Sequence, residues 1–198
     1  MIEVEVKLKI RDYDVVRNYL QNHGYDIVET LIETDSYYDD SNGLIRKSDS
    51  ALRIRCTEDE ITGNKKSVVT FKGPKMDNKS MTRQEAETEV GDGKVLNEIL
   101  EALGFSSVEP KVIKHREQFK RDFLNACLDR VEGLGDFLEL EILIDDSPNA
   151  GISGNKQNPD TAMTYTQALE IIEQELNALG YSIEDTTNIS YLTQLQSK

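Results

Sequence analysis

From Ile2 to Ile10 the chain alternates strictly, with Ile2, Val4, Val6, Leu8 and Ile10 set against Glu3, Glu5, Lys7 and Lys9. A period of two puts the apolar residues on one face of a β-strand and the ions on the other. Asp12 is placed to cap a helix through Val15, Val16, Tyr19 and Leu20, and Gly24 stands where a C-terminal cap is expected. The first unit is therefore strand then helix.

Residues 26 to 39 carry enough Ile, Val, Thr and Tyr to predict a second strand, which Asp39-Asp40-Ser41-Asn42-Gly43 breaks. Ala51 to Thr57 and Ser67 to Lys72 read as a hairpin around Thr62-Gly63-Asn64. Thr82 to Val90 predicts another strand, and Asp92 opens a helix through Val95, Leu96, Ile99, Leu100 and Leu103 that stops at Gly104. Lys111 to Phe123, Ala126 to Val131 and Phe137 to Ile144 supply three more strands, bringing the total to about eight. Residues 146–163 collect Gly, Asn and Pro and read as a loop long enough to be mobile or to act as a lid. A helical segment over 164–198 follows, with apolar spacing through Ala168, Ile171, Ile172, Leu176 and Leu179 and a short amphipathic tail around Ile189, Tyr191, Leu192 and Leu195.

The charges share a parity from strand to strand: Glu3, Glu5, Lys7 and Lys9; Arg53 and Arg55; Arg83, Glu85, Glu87 and Glu89; Lys114 and Arg116; Glu139 and Glu141. Neighbours two apart on a strand project from one face at about 6.5 to 7 Å. On a single strand this describes a sheet with one face in water. Repeated on most of eight strands, it leaves too many apolar faces for the few helices to cover in an open sheet. An α+β fold with an eight-stranded antiparallel β-barrel, an ionic interior and helices packed outside satisfies both faces. Such an interior needs its charges paired or bound to a ligand. Carboxylates at alternate positions suit a divalent cation, and Lys and Arg suit phosphate oxygens. The residues alone reach this class of ligand and leave sulfate-rich or polycarboxylate ligands open.

A chain of 198 residues fits one domain over 1–198. The 37 acidic and 23 basic residues give a net charge of -14, which argues against nucleic acid and anionic membranes as partners. Cys56 and Cys127 fit no metal-ligand spacing and read as packing residues. No apolar signal region opens the chain and no run reaches transmembrane length, so a cytoplasmic location is the default expectation. His23, before a helix-ending Gly, and His115, of opposite parity to its charged neighbours, read as surface or packing residues. Gly133-Leu134-Gly135 lacks phosphate-loop spacing and reads as a tight strand connection.

Glu3-Val4-Glu5-Val6-Lys7 matches the Glu-x-Glu-x-Lys signature of the CYTH, or triphosphate tunnel metalloenzyme, family at its amino-terminal place. The resemblance continues through Leu52-Arg53-Ile54-Arg55, Thr70-Phe71-Lys72-Gly73-Pro74, Arg83-Gln84-Glu85-Ala86-Glu87 and Lys114-His115-Arg116. Its most specific stretch runs from Leu128-Asp129-Arg130-Val131 through Gly133-Leu134-Gly135 to Phe137-Leu138-Glu139-Leu140-Glu141, and looks closest to the class IV adenylyl cyclase branch. Ser190-Tyr191-Leu192 is similar too. Phe119 departs from the pattern, since relatives often carry Tyr there.

The resemblance implies that Glu3, Glu5, Glu139 and Glu141 ligate Mg²⁺ or Mn²⁺, with Asp129 and Glu87 as supporting ligands or water-positioning groups. It implies that Lys7, Arg53, Arg55, Lys72, Arg83, Lys114 and Arg116 hold phosphate oxygens, and that Glu3, Glu5, Lys7, Asp129 and Glu141 form the catalytic group. The expected partner is a nucleoside or other triphosphate, and a homodimer is left open. Cyclisation of ATP to cyclic AMP and pyrophosphate is the favoured reaction. Hydrolysis of thiamine triphosphate or tripolyphosphate is the enzymatic alternative, and a non-catalytic triphosphate-binding module is the alternative from another class.

Overall fold

The computed structural model describes residues 2–75, 83–144 and 163–198. Eight strands close on themselves: β1 (Ile2–Lys9), β2 (Asp26–Asp40), β3 (Ala51–Asp59), β4 (Lys65–Lys75), β5 (Arg83–Val90), β6 (Phe105–Arg121), β7 (Leu124–Val131) and β8 (Gly135–Ile144). The order around the barrel is β1-β5-β4-β3-β2-β6-β7-β8, every pair antiparallel. Around it stand helices α1 (Tyr13–Asn22), α2 (Leu44–Lys47), α3 (Gly93–Ala102), α4 (Tyr165–Ala178) and α5 (Tyr191–Gln196).

The alternation of β1 divides two environments. Val4, Val6 and Leu8 face outward with Leu138, Leu140 and Ile142 of β8 and Ala126 and Leu128 of β7, and meet Val16 and Leu20 of α1 and Ala168, Ile172 and Leu176 of α4. Burying aliphatic side chains of this size stabilises by roughly 1.5–3 kcal/mol each. Asp12 caps α1 by accepting from the Val15 amide at 3.0 Å, as its position in the sequence predicts. A smaller cluster of Tyr38, Ile54 and Leu100 seats α3. Phe119 lies fully buried in the outer core, of opposite parity to the inward Lys114 and Arg116, so a hydroxyl on that ring would not face the barrel interior.

Two departures from the sequence reading have local causes. Strand β6 begins at Phe105 rather than Lys111 because Pro110 sits in a register shift, where Asp35 pairs Val112 but Tyr37 pairs Val108. A missing N–H is tolerated at such a bulge. The break after Asp39 contains the short α2, whose first turn is built on the Asp39 and Asp40 carboxylates. These accept from the amides of Ile45 and Leu44 at 2.9 and 2.8 Å. The outer faces of β4 and β5 are covered only in part, with Phe71 still 43% exposed. The loop expected at 146–163 lies, apart from Met163, outside the described residues, as does Thr82.

Candidate active site in the barrel lumen

The inward parity delivers Glu3, Glu5, Lys7, Arg53, Arg55, Lys72, Arg83, Glu85, Glu87, Lys114, Arg116, Glu139 and Glu141 to one cavity of about 860 Å³. Lys9 and Glu89 do not line it: Lys9 is exposed and donates to the Leu134 carbonyl at 2.8 Å, and Glu89 stands in solvent near the end of β5. Glu33 and Asp35 of β2 are the residues that sequence reasoning missed. Both are buried in the lumen, and their spacing of two was the signal available.

These two carboxylates organise a basic wall. Arg55 donates through Nε and Nη2 to the two oxygens of Asp35, at 2.7 and 2.8 Å, and its Nη1 lies 3.0 Å from Glu33. Arg53 reaches Asp35 at 3.3 Å and Thr70 Oγ1 at 3.3 Å. Lys114 bridges Glu33 and Asp129 at 3.1 and 3.2 Å. Arg116 grips Asp129, with Nε 2.6 Å from Oδ1, and also donates to Glu139. The nearby guanidinium and ammonium groups overcome the burial that would raise these acids. Glu33 is held down to about 2, while Asp35 and Glu139 lie well below the usual carboxylate range. Glu33, Asp35 and Glu139 therefore stay ionised at neutral pH.

Asp129 stands behind this wall. It is fully buried behind the cavity surface, and its oxygens accept from Arg116, Lys114 and the Tyr191 hydroxyl. In this arrangement Asp129 is the shared counter-ion of Arg116 and Lys114 and so anchors basic residues. Glu87, expected beside it as a supporting ligand, is exposed at the cavity edge and accepts from Thr70 Oγ1 at 2.8 Å.

The opposite wall is acidic. Lys72 is shared by Glu3 at 2.7 Å, Glu85 at 3.1 Å and, more distantly, Glu5 at 4.0 Å. Glu5 and Glu141 stand directly opposite each other in the β1–β8 register. Burial, with repulsion from Glu139 and Glu3, pushes Glu5 up to about 7. Burial, with repulsion from Glu3 and Glu5, pushes Glu141 up to about 8. Among the described residues no three carboxylate, His or Cys groups already converge as a metal cage. The donor set nevertheless fits a hard cation: Glu5 and Glu141 are adjacent oxygen donors, Glu5 with only the distant Lys72 at 4.0 Å as an ion-pair partner, and Mg²⁺ commonly takes one or two carboxylates and completes its shell with phosphate and water.

These shifts fix a pH dependence of stability. The folded state keeps protons on Glu5 and Glu141 that the unfolded chain releases near the ordinary value of 4.5. Their contribution is therefore complete below about 4.5 and is lost as pH rises through about 7 and 8. Glu33, Asp35 and Glu139 act below this window, since their contribution is lost only as pH falls. Burial also lowers Lys7 from its ordinary value, and a variant isolates the glutamates from that shift. Between pH 5 and 8 in chelator, the urea midpoint of the wild type should fall relative to that of Glu141→Gln. Parallel pH profiles for the two proteins would show that Glu141 is not titrating there.

Arg83 is buried at the edge of the cavity, donating to the carbonyls of Gly73 and Asp49 at 3.2 and 3.3 Å. Tyr37, Ile45, Val108 and Ile189 also line the cavity, with the polar residues Asp39, Arg46, Asn188 and Ser190 among them, and Tyr37 and Val108 pack on the cluster that contains Tyr191 and Leu192. Cys127 also faces the lumen, where burial raises its thiol well above the usual range and keeps it protonated. His115 is half-buried and pairs with Glu60 at 2.7 Å, away from the lumen.

Comparison with known proteins agrees with this geometry. The CYTH domain family model matches residues 1–187. A Methanocaldococcus jannaschii protein that carries the name "Putative adenylate cyclase" is 42% identical over 192 residues, covering 97% of each chain. The structure of the PH1819 protein from Pyrococcus horikoshii is 32% identical and superposes with a TM-score of 0.79 over 98% of each chain. A Hippeastrum protein with a dominant triphosphatase activity shares the fold at 16% identity, with a TM-score of 0.64 over 99% of this chain and 95% of that one.

Proposed function

This chain belongs to the CYTH family, and from that premise we propose that it is a Mg²⁺- or Mn²⁺-dependent enzyme converting ATP to cyclic AMP and pyrophosphate. The observation that carries the reading is one cavity with an acidic wall, a basic wall and the side chains of Tyr37, Ile45, Val108 and Ile189 beside them. Bare tripolyphosphate has no use for those apolar groups, whereas a nucleoside does. The name carried by the archaeal relative supports the same choice.

Glu5 and Glu141, with Glu3 beside them, would hold the divalent cation, and Glu139 keeps one oxygen free of Arg116 to join them. The basic residues Arg53, Arg55, Lys114 and Arg116 draw the phosphates to one side of the lumen, while Glu3, Glu5 and Glu141 repel them on the other wherever those acids are ionised. A cation held between Glu5 and Glu141 would screen that repulsion. Once bound, the cation supplies Lewis acidity toward the phosphate and the attacking oxygen.

The protein's own groups do the positioning. Arg53, Arg55, Lys114 and Arg116 are fixed by their carboxylate partners and present their remaining N–H groups to phosphate oxygens. Holding the β- and γ-phosphates there would place the ribose 3'-oxygen in line with the α-phosphorus; the new O–P bond forms as the bond to pyrophosphate breaks, and the 3'-hydroxyl proton ends on the departing pyrophosphate. Tyr37, Ile45, Val108 and Ile189 would pack against the nucleoside and limit competing attack by water.

Product analysis with ATP, thiamine triphosphate and tripolyphosphate, each with Mg²⁺ and Mn²⁺, tests the reading. Cyclic AMP with stoichiometric pyrophosphate is expected, and tripolyphosphate should act only as an inhibitor. Rapid orthophosphate release without cyclic product would move the protein to the hydrolytic reaction.

A further inference from the structure

The segment after α4 returns to the barrel and seals one end. Thr186 forms an isolated bridge with Leu8, and the Thr187 amide donates to the Lys7 carbonyl at 2.7 Å. Ser190 caps α5 by accepting from the Thr193 amide at 3.1 Å. Tyr191 and Leu192 then enter an apolar cluster with Val112, Val131, Leu134 and Phe137. Outside, Gln196 holds the helix to Arg46 at 3.1 Å and to the Glu109 carbonyl at 2.7 Å.

Tyr191 is more than a plug. Its ring meets Phe137 edge to face at 5.0 Å between centroids, and its hydroxyl donates to Asp129 Oδ2 at 3.0 Å. The Lys7 ammonium lies 4.4 Å from the ring centroid and that of Lys114 lies 5.4 Å away. Lys114 also has Glu33 and Asp129 as ion-pair partners. Lys7 is 2% exposed and, among the described residues, forms no ion pair within 4.0 Å. Its backbone and its ammonium are both held by the tail.

We propose that Tyr191 is a positioning residue: its ring face fixes the Lys7 ammonium in the lumen, ready for a substrate phosphate. The inference rests on the reading of the lumen as a triphosphate site. A π face attracts a desolvated ammonium without neutralising it, whereas a carboxylate in the same place would compete with the incoming phosphate. The tail thus keeps one cation available where its neighbours are tied to acids.

Calorimetric binding of Mg²⁺-tripolyphosphate to the full chain tests this with Tyr191→Leu, Tyr191→Phe, Lys7→Met and the Lys7→Met/Tyr191→Leu double variant. Tyr191→Leu should weaken binding about tenfold, and Tyr191→Phe, which keeps the ring, should stay within about threefold of wild type. In the Lys7→Met background the Tyr191→Leu change should have almost no further effect, because the group it acts through is gone. Should Tyr191→Leu fail to fold, Tyr191→Met fills the same volume and serves in its place. A full tenfold loss that persists in the Lys7→Met background, or wild-type affinity in Tyr191→Leu, overturns the proposal. Absence of binding by the wild type overturns it as well, but through the functional reading, and differs visibly from binding without coupling.

Discussion

Glu5→Gln and Glu141→Gln should each abolish turnover while leaving the fold intact and triphosphate binding largely preserved. The amide is close in shape to the protonated carboxyl that each residue carries through part of the neutral range, raised to about 7 for Glu5 and about 8 for Glu141. Neither substitution therefore opens a cavity or strands a partner. What is removed is an anionic oxygen donor, and neutral amides are poor ligands for Mg²⁺. A loss of roughly 10³-fold in turnover, about 4 kcal/mol of transition-state stabilisation, is the expected scale. Binding should suffer less because the basic wall is untouched and the lumen has one fewer negative charge. Excess chelator should reproduce the loss in the wild type. Undiminished turnover in either variant, or in chelator, would remove the cation from the mechanism.

Asp129→Asn should produce the largest loss of stability of any single lumen substitution. Asp129 is fully buried and faces Arg116 through both nitrogens of one guanidinium edge, Lys114 at 3.2 Å and the Tyr191 hydroxyl at 3.0 Å. Replacing the carboxylate with an amide keeps the volume but leaves two buried cations without their shared counter-charge. Breaking one partner of a buried ion pair costs about 3–5 kcal/mol. The amide's own N–H₂ would also point a donor at donors. Urea denaturation should show a loss of that size, with activity falling because Lys114 and Arg116 are no longer held. A destabilisation below about 1 kcal/mol would mean that Glu33 and Glu139 suffice as counter-ions, and that Asp129 is free for another role.

The two substitutions separate residues that look alike in one dimension. Glu139 and Glu141 are neighbours on one strand face, yet Glu139 is tied to Arg116 and lies far below the usual range while Glu141 is raised to about 8. The difference comes from what each residue faces. Glu141 is paired in register with Glu5, whereas the Glu139 carboxylate reaches the guanidinium that β6 presents beside Asp129.

The sequence by itself determined the alternation of β1, the inward parity of Arg53, Arg55, Lys114, Arg116, Glu139 and Glu141, and hence an ionic lumen wrapped in an apolar shell. Strand periodicity is local, fixed by backbone geometry, and so is legible from consecutive residues. Glu33 and Asp35 carried the same spacing but lay among Thr, Ser and Tyr, where no clean apolar face set them off. Tertiary structure alone decided the division of labour. Closure through β1–β8 put Glu5 against Glu141, the β6–β7 register put Arg116 against Asp129, and docking of α5 brought Tyr191 onto Lys7 and onto Asp129, 62 residues away. The protonation and availability of each group follow from the sum of charges within a few ångströms and from the water excluded around it. Those distances come into being only when the barrel closes and the tail seals its end.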